Sequence, residues 1–144
     1  MRYREVIRMP LWLLAIIYFF LLSLVLSIWA ALGNTAALVS LLITTALLVL
    51  IANKSALIIE IDDQELRVGR AHIELEFVKN SEPLTTAAMA TLRTRDANPA
   101  AFLAIRFWCS TGIRITLDDP QDSTPYWLIT SKHPIELSKV LASD

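Results

Sequence analysis

From Met9 to Asn53 the chain runs forty-five residues without an Asp, Glu, Lys, Arg or His. Beyond that run, apolar and polar residues alternate in short bursts. Leu11–Leu32 is apolar over twenty-two residues, enough for a helix to cross a hydrocarbon core of about 30 Å. Pro10 sits at the first turn of that helix, where its missing N–H breaks no hydrogen bond. Gly33-Asn34-Thr35 suits a tight turn. Ala36–Ala52 follows as a second span of seventeen residues, roughly 26 Å long. Its ten Leu, Ile and Val residues favour insertion by about 3 to 6 kcal/mol in total, with no charge opposing them. Residues 1–54 therefore read as an N-terminal tip followed by a transmembrane hairpin. Ser23, Ser27 and Ala31 recur every fourth residue on the first helix, and Ala36, Ser40 and Thr44 on the second. Facing seams of small residues would let the two backbones approach closely.

From residue 55 the period shortens to two. Leu57–Ile61 and Glu65–Val68 read as strands around the turn Asp62-Asp63-Gln64. His72–Phe77 alternates with Ile73, Leu75 and Phe77 on one face. After Pro83 the spacing of Leu84, Ala88 and Leu92 is helical, and Asp96-Ala97-Asn98-Pro99 ends that helix. Strands are expected at 101–108, 113–117 and 126–130, and a last helix at Pro134 with Leu137, Val140 and Leu141 on one face. Three strands, a helix, three strands and a closing helix make an antiparallel α+β domain over 55–144. The expected architecture is a strongly bent sheet or small barrel plugged by the last helix, of the pleckstrin-homology-like kind.

Charge adds orientation to this picture. Arg2, Arg4 and Arg8 precede the first span, Lys54 closes the second, and the turn between them is uncharged. The positive-inside rule puts both termini in the cytoplasm of a protein that crosses the bilayer twice. Trp12 and Trp29 fall near the inner and outer membrane interfaces, where aromatic belts lie. A signal peptide would have a shorter apolar core and a small-residue cleavage site, and Trp29-Ala30-Ala31-Leu32 is a poor match to one. Residues 55–144 carry nine Lys and Arg against thirteen Asp and Glu. Such an acidic part argues against nucleic acid as a partner and weighs against capture of anionic headgroups by that part.

Candidate chemistry is sparse. Cys109 is the single cysteine, without a base at a recognisable spacing, and reads as a structural thiol. His72 and His133 match no metal motif, and three glycines build no phosphate loop. The loop Asp118-Asp119-Pro120-Gln121-Asp122-Ser123-Thr124 concentrates oxygen ligands. The same residues are also those of an exposed turn. Arg106, Trp108, Tyr126 and Trp127 are the aromatic and arginine types favoured at binding surfaces. No catalytic residue, metal or cofactor is expected.

Four stretches carry a family resemblance: Tyr3-x-Glu5 with Pro10-x-Trp12; Arg95-Asp96-Ala97-x-Pro99-Ala100-Ala101; Arg106-x-Trp108; and Asp118-Asp119-Pro120-x-Asp122-x-Thr124-Pro125-Tyr126-Trp127. In these the chain resembles the actinobacterial DUF3093 family of membrane proteins of unknown function. Phe107 and Ser123 depart from it, standing where proline is expected. The resemblance implies an integral protein of the bacterial plasma membrane and brings no catalytic residues with it. The expected function is a membrane-anchored, non-enzymatic interaction or scaffold module. Its partners are the lipid bilayer and either another protein or a second copy of the chain. The candidate interaction surface is Arg95, Asp96, Arg106, Trp108, Asp118, Asp119, Asp122, Thr124, Tyr126 and Trp127. Two alternatives stand beside it: a metal-dependent hydrolase using Asp118, Asp119 and Asp122 with Arg106 or Arg114 as an anion clamp, and a lipid-headgroup-binding module.

Overall fold

The computed structural model of the protein describes residues 2–143. It divides into two compact units, Arg8–Ala56 and Met1–Ile7 with Leu57–Asp144.

The first unit is a helical hairpin of α1 (Leu11–Leu32) and α2 (Asn34–Lys54). Both helices are long and apolar enough to cross a membrane. Gly33, at φ +89°, is the whole of the connection, so α2 starts two residues before the expected Ala36 and runs two beyond Ala52. The left-handed backbone at Gly33 strains any other residue, which is why the turn is made there. Trp29 Nε1 donates to Asn34 Oδ1 across it at 2.6 Å.

The two expected seams meet different fates. On α2, Ala36, Ser40 and Thr44 lie on the covered face, and Thr44 is buried. On α1, Ser23, Ser27 and Ala31 are exposed, and the covered face is Ile17, Leu21, Val25 and Ile28. Bulky side chains of α1 therefore meet a small-residue groove on α2. The α1 serines do not need a neighbouring helix, because Ser23 and Ser27 donate to the carbonyls four residues back at 3.0 Å each.

The second unit has two four-stranded sheets. In chain order the first contains β1 (Tyr3–Ile7), β2 (Leu57–Ile61), β3 (Glu65–Val68) and β4 (Ala71–Glu74), all antiparallel. The expected N-terminal tip is thus a strand of the domain. Its alternation is disguised because one inward position, Glu5, is a carboxylate. The strand expected over His72–Phe77 stops at Glu74, and Leu75–Phe77 is a 3-10 turn. There the chain leaves the first sheet for the second, with Leu75 N donating to Gln64 O and Asp118 N to Phe77 O.

The second sheet is built from β5 (Val78–Leu84), β6 (Phe102–Ala104), β7 (Gly112–Leu117) and β8 (Tyr126–Thr130), in the order β5-β7-β8-β6. β5 had no counterpart in the expected strands. Its sequence, VKNSEPL, barely alternates, and Pro83 is tolerated because β5 is an edge strand. The strand expected over 101–108 shrinks to three residues and runs parallel to β8. The chain reverses twice between them, and β6 docks on the free edge of β8, so parallel pairing follows. Two helices complete the unit: α3 (Thr86–Arg93), capped by Thr85, and α4 (Pro134–Ala142).

The second sheet is covered on both faces. Ile113, Ile115, Trp127 and Ile129 join Ile7, Ile59, Ile61 and Leu66 of the first sheet and Leu137 and Leu141 of α4 in the main core. Each such side chain contributes about 1.5–3 kcal/mol by burial. Leu128 points the other way, to Met89 of α3 and Leu84. Gly112 is required beneath α3, since a Cβ there would collide with Ile129 O and Met89.

Candidate functional site

The register of β7 and β8 places the expected surface residues. Gly112 pairs with Thr130 at one end and Thr116 with Tyr126 at the other, about 14 Å apart at roughly 3.4 Å per residue. Arg106 and Trp108 belong to the first end, where Arg106 N donates to Thr130 Oγ1 at 3.2 Å. The loop 118–125 joins the strands at the second end, and Leu117 N donates to Pro125 O across its base. Phe102 pairs with Trp127, so the loop holding Arg95 and Asp96 also enters at that second end. Two of the three blocks share an end of the sheet, and Arg106-x-Trp108 lies at the other.

The loop 118–125 is a self-capped turn. Asp119 Oδ1 accepts from Gln121 N at 2.9 Å, while Asp122 Oδ1 accepts from Thr124 N at 2.9 Å and Thr124 Oγ1 at 2.7 Å. The Thr124 backbone and side-chain hydrogen bonds hold the Asp122 carboxyl below its usual value. Among the described residues no three His, Cys, Asp or Glu are grouped as metal ligands.

Tyr126 and Trp127, adjacent in sequence, point to opposite faces. Trp127 is buried in the main core against the Phe102 ring, centroids 4.8 Å apart. Tyr126 lies on the α3 side, with the Arg114 guanidinium 6.0 Å above its ring. Arg114 also pairs with Glu82 on β5. Trp127 and Tyr126 thus belong mainly to the scaffold. The Arg106 end is different, since Phe107 is 65% exposed there. Phe107 packs edge-on against Trp108 at 5.1 Å. Trp108 Nε1 is buried and has no partner among the described residues, a costly state for an indole N–H.

Two features escaped the sequence reading. The first is a buried carboxylate. Glu5 on β1 accepts from Ser131 Oγ at 2.7 Å, Lys132 N at 2.7 Å and Tyr3 Oη at 3.0 Å. The bonds from Ser131 and Lys132 fasten the first strand to the segment before α4. Burial, then the bond to Glu5, push the Tyr3 hydroxyl well above the ordinary tyrosine value. The signal was present as Tyr3-x-Glu5 ahead of Ile7, an inward alternation with one polar member. The second is an acidic cavity of about 650 Å³ lined by Asp63, Gln64, Glu65, Glu74, Leu75 and Glu76. Glu65 and Glu74 are cross-strand partners. A hydrogen bond with Glu76, and then repulsion from Glu76, Glu65 and Asp119, raise the Glu74 carboxyl above its ordinary value. Only the β3–β4 register, not spacing, brings these residues together.

No curated protein and no solved structure matches the chain. The profile of the family described as "Protein of unknown function (DUF3093)" matches residues 2–141, from the first strand through the last helix. It therefore takes in the hairpin, both sheets and every block of residues described above, and the chain belongs to the DUF3093 family.

Proposed function

We propose that the protein is a membrane-anchored, non-enzymatic interaction module of the bacterial plasma membrane. The hairpin crosses the bilayer twice, both termini are cytoplasmic, and the folded unit binds another protein or a second copy of the chain. The observation that carries this reading is the hairpin's surface. α1 has no buried residue, and in α2 only Thr44 is buried. Contiguous exposed apolar surface of this extent fits an apolar medium and not water. Arg8 and Lys54 flank the helices while Gly33 and Asn34 join them without charge, which is the charge asymmetry of a cytoplasmic-in hairpin.

Within the folded unit, the Arg106 end supplies the partner surface. Exposed Phe107 beside Arg106 and Trp108 combines an apolar anchor with a guanidinium. The hydrolase reading has less behind it, because Asp119 and Asp122 spend an oxygen each on their own turn. The pleckstrin-homology-like description draws support from two four-stranded sheets enclosing one core, with Leu137 and Leu141 of the last helix inside it. Crosslinking in cells followed by purification tests the reading. A specific crosslinked species, lost on Phe107→Asp, is the expected result. A chain that stays monomeric and yields no crosslink would overturn it.

A further inference from the structure

The first sheet is polarised along its strands. At one end lie Ile7 and Leu57, which are cross-strand partners, and the β3–β4 turn at Gly69-Arg70, where Gly69 N donates to Ile58 O at 2.9 Å. Residues 6–7, 57–59 and 68–71 hold Arg70 and no carboxylate, and in sequence the chain leaves this end through Arg8 and returns to it after Lys54. Arg70 is exposed and makes no hydrogen bond or ion pair among the described residues. Ile58 is 38% exposed beside it. At the other end lie Asp62, Asp63, Glu65, Glu74 and Glu76, with Arg2 engaged by Ser143.

Ile7 and Leu57 are the points at which the chain leaves this sheet for the apolar hairpin and returns from it. Three residues separate Ile7 from α1 and two separate α2 from Leu57. At no more than about 3.6 Å per residue these linkers span roughly 11–14 Å. Resting on the membrane-anchored reading above, we infer that the Ile7–Leu57–Arg70 end of the first sheet seats on anionic phospholipid headgroups, with Arg70 as the engaging cation. The acidic net charge of the unit does not prevent this. The acidic end is one strand length away, about 10 Å at roughly 3.4 Å per residue, which exceeds the screening length of about 8 Å at physiological ionic strength. A single cation near an anionic surface strengthens association about five-fold. The surface thus orients a unit that the hairpin already tethers, with its acidic end turned away from the bilayer.

Hydrogen exchange on the full chain in nanodiscs tests this, comparing phosphatidylcholine alone with phosphatidylcholine plus phosphatidylglycerol. The amides of 69–71 are expected to exchange several-fold more slowly in the anionic discs, with 62–65 unchanged. Arg70→Gln should remove the difference, and Arg70→Lys should keep most of it. Equal exchange in both discs, protection at 62–65, or indifference to Arg70→Gln would overturn the inference. A chain that does not enter the discs at all overturns the anchoring reading instead, so the two failures are distinguishable.

Discussion

α1 and β8 are both apolar, and they end in opposite places. No residue of α1 is buried, and Leu11, Phe19, Phe20 and Leu32 are each more than 60% exposed. In β8, Trp127, Leu128, Ile129 and Thr130 are all buried. β8 is apolar on two faces because it has two partners, the main core and α3. α1 is apolar all round but has a protein partner only along the stripe that meets α2. The rest of its surface calls for a medium that contributes what the chain does not. Apolar content alone therefore does not state a destination; the number of covered faces does.

A charge placed on the uncovered surface of α1 should separate the two units most strongly. Leu24 is 53% exposed, and Leu24→Lys is expected to weaken insertion by about 3–4 kcal/mol. The change would be read as a larger share of chain released from membranes by alkaline carbonate, with the melting of the folded unit unchanged. Glu5→Ala makes the converse break. It leaves Ser131 Oγ, Lys132 N and Tyr3 Oη without their acceptor and should cost about 2–4 kcal/mol. A fall in melting temperature of at least about 8 °C is expected, with membrane retention unaffected and partial recovery in Glu5→Gln.

Tyr3→Phe removes one of those bonds, for about 1 kcal/mol, and its effect depends on pH. The folded Tyr3 hydroxyl is held above its unfolded value, so its contribution is complete below pH of about 10 and is lost as pH rises through the folded value. The melting difference between wild type and Tyr3→Phe should accordingly narrow in alkali. The smallest effect belongs to Glu74→Gln. The Glu74 carboxyl is raised by its acidic neighbours, so at neutral pH the folded unit bears repulsion that acid relieves. The variant should melt slightly higher than wild type at neutral pH, with the gap closing as pH falls through the glutamate range.

Apolar runs and strict alternations were legible in the sequence, and switches between partners were not. Both apolar helices, β2 and β8 follow from apolar runs, and β3 and β7 from alternation. β1 was hidden because Glu5 occupies a core position, and its partners at 131 and 132 lie more than 120 residues away. β5 was hidden because an edge strand with Pro83 needs no alternation. His72–Phe77 keeps its alternation through a change of sheet, which periodicity does not register. On α1 the regular spacing of Ser23, Ser27 and Ala31 suggested a seam, yet those serines satisfy themselves and the bulkier stripe packs. Of the candidate surface, Trp127 proved to be core and Asp122 a turn cap, because residue type does not distinguish a ligand from a capping group. Arg106 and Trp108 reach a surface, but at the opposite end of the sheet from the acidic loop.

In the proposed arrangement the hairpin crosses a membrane with the folded unit on the cytoplasmic side. Cys109 is the chain's one thiol and is buried, so a Cys109→Ala background allows single reporter cysteines. Labelling intact cells with a membrane-impermeant maleimide is the most direct measurement. Thr35→Cys beside the hairpin turn should react in intact cells, whereas Gln121→Cys should react only after lysis. Reaction of Gln121→Cys in intact cells, with Thr35→Cys protected until lysis, would contradict that arrangement.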